Sequence, residues 1–165
     1  MSAVPVVVLA GISGTGKTTF LEKLIRELKK RKVKVGTIKH DVHGFEIDKP
    51  GKDTWRHAQA GADAVAISSP SKVAVVRNVA EEMSLDQVTE LIGDVDIILV
   101  EGYKRSDKPK IEIQRMACSR ELICAAEQLI AVVSDGQWDV GVPLFGLDDA
   151  SAVADLLVKK YGLPR

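Results

Sequence analysis

The chain has 165 residues, 45% of them hydrophobic, and its 23 basic side chains balance 23 acidic ones to a formal net charge of zero. This length and composition are typical of one globular domain, here residues 1–165, and exclude a disordered chain. The balanced charge argues against a nucleic-acid partner, and the short apolar run at the start resembles neither a signal peptide nor a membrane span, so we expect a cytoplasmic protein.

The first predicted elements are a strand, a helix and a second strand. Residues 4–10 form a continuous apolar run, typical of a strand that is covered on both faces of a parallel sheet. Apolar residues then recur every three or four positions over 17–31, which predicts an amphipathic helix, and residues 33–39 are expected to form the next strand. This order predicts a βαβ unit.

A glycine-rich segment lies between the first strand and the helix. Residues 11–18, Gly-Ile-Ser-Gly-Thr-Gly-Lys-Thr, fit the pattern G-x-x-x-x-G-K-[ST]. Glycines let successive N–H groups converge on a phosphate, and the helix N-terminus adds its dipole. Lys17 is predicted to neutralise the β- and γ-phosphates and Thr18 to be a ligand of Mg²⁺. The segment predicts a nucleotide phosphate site, with a chance Gly-rich turn as the alternative.

A polar segment, residues 37–62, follows the second strand. Four of its side chains offer metal ligands: His40, Asp41, His43 and Asp48. Two histidines on a loop without a third fixed ligand are weak evidence for a metal, so a loop that senses the γ-phosphate and its Mg²⁺ is favoured. Asp53 is predicted to cap a short helix through Gln59, and Lys52 is a candidate for binding phosphate or a partner.

The middle of the chain predicts a hairpin and a helix. Residues 64–68 and 72–76 have the composition of two strands around a Ser-Pro-Ser turn. Ser84 and Gln87 form a capping-box pattern, which predicts a helix that reaches about Ile92.

Three further strands and a helix complete the predicted fold. Residues 94–100 and 129–134 are apolar runs typical of buried strands. The alternation in residues 110–114, KIEIQ, predicts a half-exposed strand, either an edge used for dimer contact or an ordinary exposed edge. An amphipathic helix is expected over 149–161. Strands that alternate with helices predict an α/β fold with an open, mostly parallel P-loop NTPase-type sheet and helices on both faces.

An acidic residue follows the predicted strand at residues 94–100. Glu101 comes directly after an apolar run, where strand ends meet the ligand crevice of an open sheet, whereas Asp96 lies at the other end of that strand. We therefore predict that Glu101 holds Mg²⁺ or its water and forms the catalytic pair with Lys17. The alternative is a solvated loop carboxylate, because Gly102 and Tyr103 begin a turn.

The two cysteines do not have the spacing of a reactive or metal-binding pair. Cys118 and Cys124 lie six residues apart in an apolar, helix-like stretch, which matches neither a zinc site nor a redox C-x-x-C motif. We expect buried free thiols in a reducing compartment.

Four motifs together resemble one protein family. They are ISGTGKTT in residues 12–19, the segment from IKH to AGA in residues 38–62, ILVEGYK in residues 98–104, and AVVSD in residues 131–135. In this combination and order the chain resembles MobB, the family of molybdopterin-guanine dinucleotide biosynthesis adaptor proteins. The glycine-rich motif alone occurs in many NTPases, but IKH followed by DKPGKD and then VEGYK is far more specific. The resemblance covers essentially the whole chain.

The resemblance implies a GTP-binding homodimer with weak Mg²⁺-dependent GTPase activity. Such a protein would assist a MobA-like molybdenum cofactor guanylyltransferase, which attaches GMP to molybdopterin; molybdopterin itself is a second candidate ligand. The implied phosphate-loop residues are Gly11, Ser13, Gly14, Thr15, Gly16, Lys17, Thr18 and Thr19. The implied second motif consists of His40, Asp48, Lys52 and Asp53, and Glu101 with Gly102 ends the acidic strand.

Base selection and reaction class stay open at the level of sequence. The guanine-reading pattern N-K-x-D is absent, but Ser134 and Asp135 follow a buried strand and are candidates for reading the guanine N1 and N2 donors, with a turn-initiating Ser-Asp-Gly as the alternative. The competing function is a small-molecule kinase using ATP or GTP, which needs cationic groups around the transferred phosphoryl. Arg105, Arg115 and Arg120 are scattered rather than grouped in a lid.

Overall fold

The computed structural model describes residues 4–164, which form two compact units. The smaller unit is Asp41–Ser84, and the larger one consists of the described residues on either side of that segment. The expectation of one domain over residues 1–165 stays a prediction. No helix within residues 4–164 has the length and apolar character needed to cross a membrane.

The described residues form eight strands and four α-helices. The strands are β1 (Val6–Ala10), β2 (Val35–Lys39), β3 (Ala64–Ser69), β4 (Lys72–Arg77), β5 (Ile97–Glu101), β6 (Lys110–Gln114), β7 (Leu129–Ser134) and β8 (Leu144–Phe145). The helices are α1 (Lys17–Lys30), α2 (Asp53–Gln59), α3 (Leu85–Thr89) and α4 (Ala150–Tyr161), with a short 3₁₀ turn at Ala126–Gln128.

The larger unit is built on a six-stranded sheet with the order β2-β5-β1-β6-β7-β8. All of its neighbouring strands pair in parallel, which confirms the predicted parallel α/β sheet. Since β1 lies between β5 and β6, the loop after β1 is flanked by the carboxyl ends of both strands. That edge of a parallel sheet is where open α/β folds bind ligands.

Helices cover both faces of this sheet, as predicted. On one face, Leu9 of β1 packs in a core with Leu24 of α1 and Val153 of α4. On the other face, Val8 packs in a second core with Leu85 of α3. Successive β1 residues therefore point to opposite buried faces, which explains why this strand is a continuous apolar run.

The prediction of a half-exposed strand at residues 110–114 is wrong. Strand β6 lies between β1 and β7, and all five of its residues are buried. Its alternation arises because Ile111 and Ile113 enter the apolar core, whereas Lys110, Glu112 and Gln114 are buried on the opposite face. These polar side chains form hydrogen bonds with backbone groups of loops rather than with water.

The buried polar groups of β6 bind backbone groups of nearby loops. The Lys110 ammonium donates to the Lys108 carbonyl at 3.0 Å, and it also donates to Ser106. The Glu112 carboxylate accepts the N–H groups of Ile123 at 2.7 Å and Cys124 at 2.9 Å. These bonds offset the cost of burying charge and anchor the segments before and after β6.

The segment that carries the cysteines also differs from its prediction. The stretch between β6 and the 3₁₀ turn is irregular rather than helical. Both thiols are free, as expected, but Cys118 is exposed and Cys124 is only half-buried. Their expected burial is therefore wrong for Cys118, because this residue lies in an irregular turn after β6 rather than on the apolar face of a helix.

Smaller differences concern the ends of helices and one short strand. Helix α3 ends at Thr89, before the expected Ile92. Lys52, rather than Asp53, is the N-cap residue of α2, and Asp53 is its first helical residue. Strand β8 was not predicted, because two residues are too few for a hydrophobic pattern to be recognised.

The smaller unit contains α2 and an antiparallel hairpin. Strands β3 and β4 pair from Ala64 with Arg77 to Ser69 with Lys72, as their turn residues predicted. The Ser69 hydroxyl accepts the Lys72 N–H at 3.0 Å and closes the turn. Several large apolar side chains of this hairpin are exposed, among them Val73 and Val75.

Candidate functional site

The glycine-rich loop, residues 11–16, joins β1 to the first turn of α1. Gly16 is the N-cap residue of the helix, with φ of 90°. The first turn of α1 carries no acidic residue, whereas its last turn carries Lys29 and Lys30. The positive end of the helix dipole therefore faces the loop without an acidic residue of the helix itself to neutralise it, which favours an anion at this place.

Gly11 is required at the start of the loop for two structural reasons. Its φ of 146° is rarely adopted by residues with a side chain. A Cβ at this position would lie 2.3 Å from the Ile113 carbonyl oxygen of β6. The loop can therefore leave β1 in close contact with β6 only because residue 11 is glycine.

The loop is held by hydrogen bonds from its own side chains. The Lys17 ammonium donates to the Ile12 carbonyl at 2.8 Å, and the buried Thr15 hydroxyl donates to the same oxygen at 3.0 Å. Ser13, Gly14 and Thr19 are exposed at this edge of the sheet. Hydrogen bonds from its own side chains therefore fix the shape of the loop, and the Lys17 ammonium lies against the loop backbone.

The predicted acid lies against the predicted metal ligand. The Thr18 hydroxyl is 2.9 Å and 3.1 Å from the two carboxylate oxygens of Glu101, which ends β5. Hydroxyl and carboxylate oxygens are the ligands that Mg²⁺ prefers, and Mg²⁺ commonly keeps several waters and binds phosphate as well. The pair therefore fits a magnesium site completed by a nucleotide. Among residues 4–164, no cluster of three His, Cys, Asp or Glu side chains could hold a metal.

His40 is brought to the same edge as Glu101. Its N–H donates to the Glu101 carbonyl at 2.9 Å, and its ring stacks on Tyr103 with centroids 4.3 Å apart. Gly102 has φ of 100°, and a Cβ there would lie 2.7 Å from the His40 Cβ. This close packing explains the glycine after the acid, and Tyr103 is a site neighbour that sequence reasoning assigned only to a turn.

The other members of the predicted second motif belong to the smaller unit. Asp48 has a positive φ of 121°. Its pKa lies below the ordinary value because its carboxylate accepts a hydrogen bond from the Thr54 side chain and a second one from the Lys49 N–H. Lys52 and Asp53 are exposed at the start of α2.

The predicted base-reading residues have well-defined partners at the end of β7. Ser134 is buried; its hydroxyl donates to Gln114 and accepts the indole N–H of Trp138 at 3.0 Å. Asp135 is exposed, and one of its carboxylate oxygens accepts the Met116 N–H at 2.8 Å. Ser134 therefore organises the loop, while the second oxygen of Asp135 is the one left to reach a ligand.

Sequence reasoning missed the contact that Arg115 makes with the glycine-rich loop. Its Nε–H donates to the Thr15 carbonyl at 2.9 Å, across 100 positions of sequence. The available signal was its position directly after β6, at the carboxyl edge of the sheet. This signal was not used because residues 110–114 were predicted to form a half-exposed strand at the side of the sheet.

The chain matches one family model and several known proteins over most of its length. Residues 6–135 match the family described as MobB, molybdopterin guanine dinucleotide synthesis protein B. The chain is 36% identical over 162 residues to the molybdopterin-guanine dinucleotide biosynthesis adapter protein of Escherichia coli K12, covering 94% of this chain and 93% of that protein. It is 33% identical to the protein of the same name from Haemophilus influenzae, over 93% of this chain and 88% of that one.

A solved structure shares the fold. The crystal structure of Bacillus subtilis MobB superposes with a TM-score of 0.76 and 27% identity, covering 95% of this chain and 98% of that one.

Proposed function

The chain belongs to the MobB family, and from this premise we propose that it is the GTP-binding adapter of molybdopterin-guanine dinucleotide biosynthesis. The observation that carries the nucleotide site is the contact between Thr18 and Glu101 beside the glycine-rich loop. It joins the end of β5 to the start of α1, the two places that a phosphate-bound magnesium ion needs to touch.

The phosphates of GTP are proposed to bind residues 11–19. The N–H groups of the loop and the α1 N-terminus would hold them, and Lys17 would turn from the Ile12 carbonyl to neutralise their charge. Thr18 and Glu101 would hold Mg²⁺, which supplies charge neutralisation at the phosphates. The backbone N–H of His40 donates to the Glu101 carbonyl, and Gly102 allows His40 to pack this closely, so both residues position Glu101. Weak GTPase activity at this site is part of the proposal.

Contacts of the base and of the second motif are proposed from position and chemistry. Asp135 has one carboxylate oxygen directed to Met116, so its other oxygen is available to accept from the guanine N1 or N2 donors, with Ser134 fixing the loop. The smaller unit would contribute Asp48, Lys52 and Asp53 as a segment that responds to the bound nucleotide.

The adapter is proposed to act as a homodimer with a MobA-like guanylyltransferase as its partner. The relatives are named adapter proteins, which supports a partner in guanine dinucleotide synthesis, and molybdopterin is a further candidate ligand. The exposed apolar side chains of the hairpin, such as Val73 and Val75, support a second copy of this chain as their cover. Two free cysteines support a reducing, cytoplasmic location.

Titration calorimetry tests the nucleotide proposal. GTP, GDP and ATP are titrated in the presence of Mg²⁺ into the full chain and into a Lys17→Ala variant. We expect GTP to bind more tightly than ATP, and we expect the variant to lose most of that affinity because the phosphate charge is left without its cation.

The comparison of GTP with ATP also decides between adapter and kinase. A preference for GTP, followed by capture of the purified guanylyltransferase in the GTP-bound state, supports the adapter. Equal or tighter binding of ATP would instead favour a phosphoryl-transfer enzyme, and its acceptors would then be sought among small metabolites. An Asp135→Asn variant with an unchanged GTP preference would remove that residue from base reading.

A further inference from the structure

Three carbonyl groups of the glycine-rich loop accept hydrogen bonds from side chains. The Ile12 carbonyl accepts from the Lys17 ammonium and from the Thr15 hydroxyl. The Gly14 carbonyl receives the Cys118 thiol at 3.6 Å, and the Thr15 carbonyl receives the Arg115 guanidinium at 2.9 Å. The last two donors come from outside the loop, from the turn that follows β6.

Planarity of the peptide bond converts these contacts into a direction for the loop N–H groups. In a trans peptide the carbonyl of one residue and the N–H of the next point in opposite directions. A Thr15 carbonyl held towards Arg115 therefore turns the Gly16 N–H to the other side of the loop, and a Gly14 carbonyl held towards Cys118 does the same to the Thr15 N–H. An anion cradle needs its N–H groups aligned in this way.

The Arg115 guanidinium packs closely on the loop. A Cβ at Gly16 would lie 3.3 Å from Arg115 Nη2, so the guanidinium lies beside the residue that caps α1. The positive charge of Arg115 also contributes to the lowered pKa of Asp148, after the larger effect of the hydrogen bond from Lys23. Arg115 is half-buried, with its guanidinium against the glycine-rich loop.

The turn that carries Arg115 is itself anchored. The N–H groups of Cys118 and Ser119 donate to the Arg115 carbonyl at 2.9 Å and 3.1 Å, and the Gln114 side chain donates to the Ser119 carbonyl. Asp135, at the end of β7, accepts the Met116 N–H. The donor to Thr15 is thus presented by backbone that is fixed at both sides.

We propose that Arg115 is a positioning residue for phosphate binding, because its Nε–H fixes the Thr15 carbonyl and so directs the following N–H into the cradle. This inference rests on the proposed nucleotide function and goes beyond it by assigning a role to a residue outside the phosphate-binding motif. It differs from a direct contact with the base, which a guanidinium could also make by stacking.

Two ligands separate these roles: GTP, and inorganic tripolyphosphate, which lacks the nucleoside. Both are titrated with Mg²⁺ into the wild type, Arg115→Gln, Arg115→Lys and the matched control Arg120→Gln, which removes an exposed arginine of the same segment. We expect Arg115→Gln to weaken both ligands by the same factor, about tenfold, as loss of a charge-assisted bond predicts. Arg115→Lys should recover only part of the loss, and the control should match the wild type.

Several outcomes would overturn the proposal. Unchanged tripolyphosphate affinity with weakened GTP binding would assign Arg115 to the nucleoside, and full recovery in Arg115→Lys would assign the effect to charge alone. Wild-type affinity in Arg115→Gln would leave the residue without a role. Failure of the wild type to bind either ligand would refute the nucleotide proposal itself, whereas tripolyphosphate binding without a GTP preference would refute only guanine specificity.

A measurement on the unaltered protein covers the case in which Arg115→Gln does not fold. The Nε–H of Arg115 should exchange slowly with solvent in the ligand-free protein, because it is bonded to the Thr15 carbonyl. Its NMR signal is compared with that of Arg120. Slow exchange that persists when tripolyphosphate is added supports the proposal, and exchange as fast as that of Arg120 contradicts it.

Discussion

At the carboxyl edge of the sheet, single side chains form short hydrogen bonds with identified partners. Lys17 lies on the Ile12 carbonyl, Thr18 on Glu101, and Arg115 on Thr15. Each contact brings together atoms from different elements or from the two ends of one loop. A single substitution at one of these positions can therefore remove one contact of the site and leave the side chains of the core in place.

Replacement of Glu101 by Gln should selectively weaken magnesium-dependent nucleotide binding. The amide keeps the shape of the side chain but loses the charge that lies 2.9 Å from the Thr18 hydroxyl. We expect the Mg²⁺ affinity of the GTP complex to fall about 10- to 100-fold, as is typical when a group that orients a metal site is lost.

Fluorescence titration of a GTP analogue against Mg²⁺ measures this effect. Asp96→Asn is the matched control, since Asp96 lies just before the opposite end of β5 and its carboxylate accepts the Lys34 N–H at 2.7 Å. Equal Mg²⁺ dependence in Glu101→Gln and the wild type would contradict a magnesium role for this carboxylate.

The two thiols should differ strongly in reactivity. Burial, followed by the nearby Glu112 carboxylate, raises the pKa of Cys124 to about 12. Since only the thiolate reacts, Cys124 should be much the less reactive thiol at pH 8. Mass spectrometry after brief iodoacetamide treatment should find Cys118, which is exposed, modified well before Cys124.

The raised pKa also has a consequence for stability. As pH rises, the unfolded chain loses the Cys124 proton before the folded protein does, so the contribution of this group is complete below about pH 9 and declines from there towards pH 12. Denaturation midpoints of the wild type and Cys124→Ala should converge as pH increases in that interval.

In the iodoacetamide experiment, equal modification of Cys118 and Cys124 in the folded protein would refute the burial assigned to Cys124.

At the scale of elements, β6 shows both the reach and the limit of sequence reasoning. The glycine-rich loop, the parallel strands and the hairpin were predictable, because motif spacing, apolar runs and turn residues are local signals. The alternation of β6 was misinterpreted because Lys110 and Glu112 are buried against loop backbone. Hydrophobic periodicity cannot distinguish a polar side chain in water from one that binds a distant segment.

Glu112 should be important for the stability of the larger unit. Glu112→Leu removes the acceptor of two backbone N–H groups, of Ile123 and Cys124, and leaves both without that partner. We expect the free energy of unfolding to fall by about 2–4 kcal/mol, because two partly buried donors lose their acceptor.

Urea denaturation measures the change, with Glu112→Gln as the control that retains one accepting oxygen. The glutamine variant should lose less stability than the leucine variant. If the two variants were equally stable, or if leucine were the more stable, the two hydrogen bonds would not be the cause.

At the scale of the whole molecule, assembly is expected to depend on the hairpin. Val75 of β4 has an exposed fraction of 63%, and Leu91, which lies after α3, has the same exposed fraction. We expect Val75→Asp to shift the protein from dimer to monomer, because a carboxylate in a covered apolar face is left without water or a partner.

Light scattering coupled to size-exclusion chromatography gives the mass directly. Leu91→Asp adds the same charge at an equally exposed apolar position and should leave the mass unchanged. A wild type that is monomeric at micromolar concentration, or a dimeric Val75→Asp variant, would show that the hairpin is not the dimer contact.

The smaller unit is inserted between two strands that are neighbours in the sheet. The chain leaves β2, forms Asp41–Ser84, and returns through α3 to β5, which pairs directly with β2. The pairing of β2 with β5 is defined by its own register and not by the length of what connects them. Because lengthening a surface connection adds little to the entropic cost of closing it, the chain between β2 and β5 can hold a unit of this size without disturbing the strand pairing that supports the glycine-rich loop.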